Sequence, residues 1–386
     1  MRTYDVAIVG GGIIGSSIAF ELAAERLRVV VVDRQEPAQE ASWAAAGMLS
    51  PAPDSANDLP LVPFARESLR LYPEFIQAIE EQSGKTASYA REGALEIFTS
   101  VDGEERCARR LRELRQVGIT AEPLSADEAR KIEPAISESA GAALRLPDEG
   151  TVEPRVLADA LLTAARNRGV EIRSNCAANA IIREGDRCTG VIAVGETISA
   201  GHVILAAGCF SAQVTNEPWL GRLAPTRPVR GQMLALRPGA DARRLRHVVR
   251  SECGYLVPRN DSRIVAGSTL EEAGFEKRVT AAGLRKILDA SVEMCPELGK
   301  SEVVETWSGL RPGTPDDLPI LGPSGVAGFW IATGHYRNGI LLAAATAKLF
   351  REWITGAKPS FDADRFSPAR FARREARVQT AASLPR

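Results

Sequence analysis

The chain has few of the residues that bind metals. It holds three histidines in 386 residues, and its six cysteines (Cys107, Cys176, Cys188, Cys209, Cys253, Cys295) form no C-x-x-C pair. A zinc site needs such ligands at close spacing, so no metal is expected. Scattered cysteines also argue against a disulfide framework and for a reducing compartment. The net charge is -1, which removes any general attraction to nucleic acid or to an acidic membrane. No apolar run reaches the ~18 residues of a membrane helix. The longest candidate, Gly339 to Phe350, contains Lys348. A soluble, cytoplasmic protein is the expectation. His202 and His247 lack serine or carboxylate partners at a recognisable spacing, which speaks against a Ser-His-Asp hydrolase. The basic stretch from Arg365 to Arg386 (Arg365, Arg370, Arg373, Arg374, Arg377) reads as a solvated terminal helix or a frayed tail.

What is present begins near the N-terminus. Val6 to Val9 is a continuous apolar run, suited to a strand buried on both faces. Gly10-Gly11-Gly12-Ile13-Ile14-Gly15 follows, and Ile14, Ile18 and Leu22 then mark one stripe of a helix. Val29 to Val32 is a second buried strand, ending at Asp33. In this G-x-G-x-x-G the first glycine permits a tight turn and the second lets a pyrophosphate approach the backbone. The third, Gly15, lets helix and strand pack closely. The helix N-terminus offers N–H groups and a positive dipole end to phosphate. Asp33 is placed to accept hydrogen bonds from ribose hydroxyls. Together these predict a dinucleotide-binding βαβ unit; the fingerprint alone does not separate FAD from NAD.

The remaining pattern predicts a discontinuous fold. Residues 1–60, 147–222 and 305–365 are assigned to the nucleotide-binding domain. Residues 61–146 and 223–304 go to a substrate domain, and 366–386 to a C-terminal tail. Helical periodicity runs through Leu69, Tyr72, Phe75, Ile76 and Ile79, and strand-like Ala94 to Phe98 precedes a charged helix from Glu104 to Val117. Val203-Ile204-Leu205-Ala206-Ala207-Gly208 reads as another buried strand capped by glycine. Gln232 to Leu236, Tyr255 to Pro258 and Arg263 to Gly267 read as alternating strands. Gly328 to Thr333 reads as a strand, and Gly339 to Ile354 as a long apolar helix.

Three further stretches carry a family resemblance. Ala41-Ser42-Trp43-Ala44-Ala45-Ala46-Gly47-Met48-Leu49 resembles the loop that lies along the flavin in the D-amino acid oxidase superfamily, most closely its glycine oxidase branch, the type linked to thiamine biosynthesis. Trp307 to Gly322 resembles the stretch bearing that family's carboxylate-binding arginine. Gly334-His335-Tyr336-Arg337-Asn338-Gly339-Ile340-Leu341-Leu342 resembles the loop and helix start facing the flavin pyrimidine ring. With Cys253 to Arg259, the matches span nearly the whole chain in order. The resemblance implies an α/β fold: an FAD-binding Rossmann-like domain of glutathione-reductase type, interleaved with an α+β substrate domain built on an antiparallel sheet. It implies non-covalent FAD, since the cysteine motif of covalently flavinylated relatives is missing. Beyond Gly10, Gly12, Gly15 and Asp33, it places Ile13, Ile14, Arg34, Ala41, Ser42, Ala45, Ala46, Gly47, Met48, Ala178, Gly208 and Gly334 at the cofactor. His335, Tyr336, Arg337, Asn338, Gly339, Ile340 and Leu341 join them.

For the substrate, Arg311 is the leading candidate, because a planar guanidinium can hold a carboxylate with two parallel hydrogen bonds. Tyr255 is the second ligand and Arg337, near the pocket mouth, the third. No protein acid or base is expected. The implied reaction is oxidation of glycine, sarcosine or a small D-amino acid by hydride transfer, with O2 as final acceptor. The expected partners are the amino acid, O2, a thiazole synthase receiving the imine, and a second copy of the chain. A D-amino acid dehydrogenase feeding a quinone, or a flavin-binding protein without turnover, are the alternatives. Two positions depart from the glycine oxidase pattern. Cys253 stands where a histidine is expected, and Leu270 where a methionine is expected. Leucine for methionine conserves size and apolarity and changes little, whereas the loss of the histidine bears on the exact substrate.

Overall fold

The computed structural model of the chain describes residues 3–214 and 218–371. Thr3–Val9 forms the central strand of an eight-stranded sheet, parallel to Val29–Val32 on one side and to Glu196–Leu205 on the other. Glu171–Arg173 extends the parallel run beyond Val29–Val32, and Phe329–Thr333 extends it beyond Glu196–Leu205. The central strand is apolar from Val6 to Val9 because both of its faces are covered there. Val6 and Ile8 point into one core with the helices Ile13–Ala24, Val62–Ser83, Pro154–Asn167 and Gly339–Thr355. Ala7 and Val9 point into a second, with the meander Ala178–Leu205. At the first turn Gly10 takes φ +107°, a conformation that L side chains rarely adopt. A Cβ on Gly15 would stand 2.0 Å from the Gly10 carbonyl oxygen. The helix therefore packs on the strand only because both positions are glycine.

A second eight-stranded sheet runs in the order Glu302–Gly313, Arg227–Arg237, Ile264–Gly267, Gly254–Pro258, Val248–Ser251, Ala94–Phe98, Ala142–Leu146, Glu122–Ser125. It is antiparallel except where Val248–Ser251 meets Ala94–Phe98 in parallel. Alternation sorts its side chains between two faces. Leu234, Leu236, Leu256 and Ala266 pack with Ile287 and Met294 of the helix Ala281–Met294. Met233, Ala235, Val257, Val265 and Trp307 pack instead with Ala44 and Ala46, which belong to the small-residue loop.

Two domain boundaries move. Helix Val62–Ser83 was assigned to the substrate domain, yet its buried face (Phe64, Leu69, Tyr72, Phe75, Ile76, Ile79) lies in the core of the first sheet. Its apolar stripe is matched by helix Gly339–Thr355, a pairing no local pattern encodes. Residues 305–313 were assigned to the nucleotide-binding domain, yet they form the edge strand of the second sheet, paired with Arg227–Arg237 throughout. The basic tail also differs from its reading at its described end. Arg370 pairs with Asp316 at 2.9 Å and donates to the Leu318 carbonyl at 3.0 Å, and Phe371 is buried. Arg373, Arg374 and Arg377 lie outside the described residues.

The helix Val62–Ser83 also fastens the start of Gly339–Thr355. Tyr72, fully buried, donates its hydroxyl to the Ile340 carbonyl at 2.6 Å, and Ser68 donates to the Leu341 carbonyl at 2.6 Å. Tyr72→Phe keeps the ring and deletes one bond. It is expected to lower the unfolding free energy by about 1 kcal/mol, read as a lower midpoint in urea at an unchanged slope. An unchanged midpoint would mean the bond contributes nothing to holding the helix start.

Candidate active site

One cavity of about 980 Å³ runs between the glycine turn, the small-residue loop and the inner face of the second sheet. Gly10, Gly12, Ile13, Ile14, Asp33, Arg34, Ala41, Ser42, Ala45, Ala46, Gly47, Met48, Ala178 and Gly208 all line it. So do Gly334, His335, Tyr336, Arg337, Asn338, Gly339 and Ile340, together with Arg311 and Tyr255. Two expected cofactor residues do not. Gly15 is a packing residue, as above. The Leu341 side chain is buried in the core of the first sheet, because helical spacing turns it away from the cavity.

The elements around the cavity fit a dinucleotide. A Cβ on Gly12 would meet only Ser42 Oγ, at 3.3 Å, so Gly12 presents bare backbone to the cavity. Ser42 Oγ accepts from the Ile13 N–H at 2.9 Å, which leaves its own proton to donate elsewhere. The helices Ile13–Ala24 and Gly339–Thr355 both start on this cavity, and neither has a side-chain cap. The second helix keeps first-turn N–H groups and a positive dipole end for an anionic ligand. Asp33 accepts from the Gly11 N–H at 2.7 Å and the Gln35 N–H at 3.0 Å, one on each oxygen. Burial pushes its carboxyl above the usual range, and these two bonds pull it back. Each oxygen keeps a lone pair for a hydroxyl donor.

At the other end, Arg311 lies across Gly231, where a Cβ would stand 2.1 Å from its Nη1. Its guanidinium donates to the Thr269 carbonyl at 3.2 Å and to Ser268 Oγ at 2.7 Å. These neutral acceptors fix its plane without cancelling its charge. Among the described residues, Arg311 has no carboxylate partner. The other inward arginines differ: Arg250 is paired with Glu96 and Glu149, Arg110 with Glu96, and Arg106 with Glu252. Arg337, expected as the third substrate ligand, is held by Asp54 at 2.8 Å and Asp58 at 3.0 Å. It faces the cavity as part of an ion-paired cluster. Tyr255 directs its hydroxyl at Met233 Sδ, 3.2 Å away. A thioether is a weak acceptor, so a carboxylate readily replaces it.

His335 is buried and within 3.1 Å of Thr346 Oγ1 through Nε2. Burial pushes its imidazole down to about 3, so it stays neutral through the physiological range. The cavity carboxylates Glu40, Asp54, Glu96 and Glu252 are each ion-paired. Cys209 lines the cavity too, but burial pushes its thiol up to about 12. Cys253 is exposed in the turn of the hairpin that presents Tyr255, and Leu270 is 59% exposed at the cavity edge. Sequence reasoning missed Gly231, Met233 and Ser268. Only Gly231 left a signal, a glycine inside a strand, which often marks a close approach. It also missed Glu96, Arg106, Arg109 and Arg110, which make the outer wall.

Residues 5–353 match the family model described as FAD dependent oxidoreductase. The chain belongs to this family. It is 33% identical to the glycine oxidase of Pseudomonas putida over 367 residues, covering 94% of this chain and 98% of the relative. It is 33% identical to the bifunctional protein ThiO/ThiG of Trichormus variabilis, covering 96% of this chain and 55% of that longer protein. The crystal structure of glycine oxidase from Geobacillus kaustophilus superposes with a TM-score of 0.87 at 32% identity, covering 95% of this chain and 98% of that one. The cavity is thus an FAD site, and the chain is an FAD-dependent amino acid oxidase. Among the described residues no helix is long and apolar enough to cross a membrane, and no group of side chains is suited to a metal.

Gly12→Leu places a side chain where the backbone must meet the pyrophosphate. The variant is expected to purify folded by circular dichroism but colourless, while wild type purifies yellow and releases FAD on heating. A yellow Gly12→Leu protein would show that the phosphates lie elsewhere.

Proposed function

We propose that this oxidase acts on glycine and other small amino acids or amines, including sarcosine and small D-amino acids. The observation that carries the reading is Arg311, recessed in the cavity with its fork free of acids. Two of its five N–H groups go to neutral oxygens, so the others remain for a carboxylate. Tyr255 exchanges the Met233 sulfur for a carboxylate oxygen and fixes the second coordinate. The small residues Ala44, Ala45, Ala46 and Gly47 line the cavity and would leave room for the flat ring of FAD. Bound FAD supplies the hydride acceptor, and its reoxidation by O2 gives H2O2.

The protein's contribution is orientation and electrostatics. The amine must arrive neutral, because an ammonium nitrogen has no pair to push out the Cα hydride. Loss of hydride leaves an imino acid, which water hydrolyses to an oxo acid and ammonia. No side chain is required to take the Cα proton: His335 is too weak a base, and the nearby carboxylates are bound to arginines. The helix start at Gly339 opens on the cavity and would favour negative charge on FAD held there by ~0.3–1 kcal/mol. The ThiO/ThiG relative supports delivery of the glycine imine to a thiazole synthase. FAD is held non-covalently, and the working form is a homo-oligomer.

Anaerobic addition of glycine, sarcosine and D-alanine tests the reading directly. The flavin band is expected to bleach, and air is expected to restore it with H2O2. Bleaching without H2O2 release would transfer the protein to the dehydrogenases.

Arg311→Ala removes one partner of a buried charged pair, a loss of about 2–5 kcal/mol, or ~30- to 5000-fold in binding. Arg311→Lys keeps charge without the fork and is expected to recover only part. Flavin content stays normal in both. A steady-state KM for glycine unchanged in Arg311→Ala would remove the assignment.

Stopped-flow reduction at low glycine between pH 6 and 10 is expected to rise along one protonation step, that of the substrate amine. Dideuterated glycine slows it at every pH. His335→Ala and Cys253→Ala are expected to change the rate modestly, not by the ~10²–10⁴ that a general base supplies. A variant whose rate collapses and loses its rise with pH would identify a base.

A further inference from the structure

At the Asp33 end of the cavity, a segment of the second-sheet half of the molecule packs behind the lining residues Arg34, Glu40 and Phe210. Arg34 follows Asp33 and holds its guanidinium carbon 3.5 Å from the centroid of the Phe210 ring. Phe210 is in turn stacked on Phe275, with centroids 5.0 Å apart and an interplanar angle of 28°. Beside this stack, Glu40 accepts from Arg34 at 2.6 Å and pairs with Lys277 at 3.0 Å. Phe275 and Lys277 lie in the connection between the strand Ile264–Gly267 and the helix Ala281–Met294 of the second sheet.

This connection is well fastened. Ser268 and Thr269, at its start, hold Arg311. Arg230 pairs with Glu271 and donates to the Glu276 carbonyl at 3.4 Å. The Ser308 hydroxyl donates to the Lys277 carbonyl, and Thr280 caps the following helix through the Gly283 N–H at 3.1 Å. Phe275 is therefore presented by a braced backbone, although its own ring is 40% exposed.

We propose that Phe275 and Lys277 form the outer half of the adenosine site. They hold Arg34 flat, by way of Phe210 and Glu40, as a platform for the adenine base. A guanidinium is planar and stacks on aromatic faces. A free arginine would lose rotamer freedom on stacking, and the clamp removes that freedom before the ligand arrives. Phe275 carries more of the effect than Lys277, because an exposed salt bridge contributes little. The nucleotide-binding sheet thus does not make the adenosine site alone. The braced connection that mounts the substrate arginine also completes the far end of the cofactor site.

The test is FAD affinity of the apoprotein, followed by flavin fluorescence, with ADP as competitor. Phe275→Ala is expected to raise the dissociation constant for FAD about 3- to 10-fold. The inhibition constant for ADP, which carries only the adenosine end, should rise by the same factor. Arg34→Ala is expected to cost more, and adding Phe275→Ala to it is expected to cost nothing further, because the platform is already gone. Lys277→Ala should weaken FAD less than Phe275→Ala does. An unchanged FAD affinity in Phe275→Ala overturns the proposal. So does a loss seen for FAD and not for ADP, or one that adds in full on the Arg34→Ala background. Wild type that binds neither FAD nor ADP would instead defeat the cofactor assignment itself.

Discussion

Arg259 donates to the Ala46 carbonyl at 2.5 Å and to the Val152 carbonyl at 3.1 Å, and pairs with Glu153 at 2.9 Å. It comes from the second sheet, and its targets lie on the small-residue loop and the approach to helix Pro154–Asn167. Trp307, also from the second sheet, donates its indole N–H to the Ala44 carbonyl at 3.1 Å. The Ala44 and Ala46 carbonyls stand between the short helix Ala41–Ala44 and the strand Met48–Leu49, where no backbone donor reaches them, so they need donors from elsewhere. The same loop supplies Ser42 to the start of the first helix. One short stretch therefore fixes the distance between the glycine turn and the sheet that carries Arg311 and Tyr255. Without that fixed distance, a cofactor on one side and a carboxylate on the other would not meet at a defined reacting geometry.

Charge is managed to the same end. The cavity is rich in arginine, yet among the described residues Arg34, Arg106, Arg110, Arg250 and Arg337 are paired with acids, and the recessed Arg311, like the exposed Arg109 of the outer wall, is not. A charge is expensive to bury alone, and Arg311 meets that cost with neutral oxygens and with access to the open cavity. On the proposed reading, specificity for a carboxylate follows from what was left unpaired rather than from an overall positive field. The neutral His335 and the weakly held Tyr255 hydroxyl fit this picture, since neither places a competing charge beside the substrate.

Legibility in the sequence tracked locality. The βαβ unit was readable because its signals lie within ~30 residues and each has a steric reason. Gly10 needs a positive φ, Gly15 needs close packing, and Val29 to Val32 is buried on both faces. The loop Ala41 to Met48 and the turn Gly334 to Gly339 were readable through resemblance, and the cavity brings them together as the reading implied. The errors fell where partners are distant. Helix Val62–Ser83 was given to the wrong core because its stripe says that it packs but not on what. The ion pairs of Arg337 were equally out of reach, because Asp54 and Asp58 lie about 280 residues away in sequence.

The sequence by itself determined the nucleotide fold and the cofactor class, and it singled out Arg311 as the candidate for a carboxylate. Short-range sterics and hydrophobic period decide the first, and dense local motifs carry the others. Only the tertiary structure decided which arginine stays free, because pairing depends on which acids the second sheet and the outer helix Gly103–Gln116 bring within ~4 Å. It also decided that Met233 holds Tyr255 and that Gly231 makes room for Arg311, contacts between strands that are far apart in the chain. Such contacts depend on register, and register is set by whole sheets rather than by any segment.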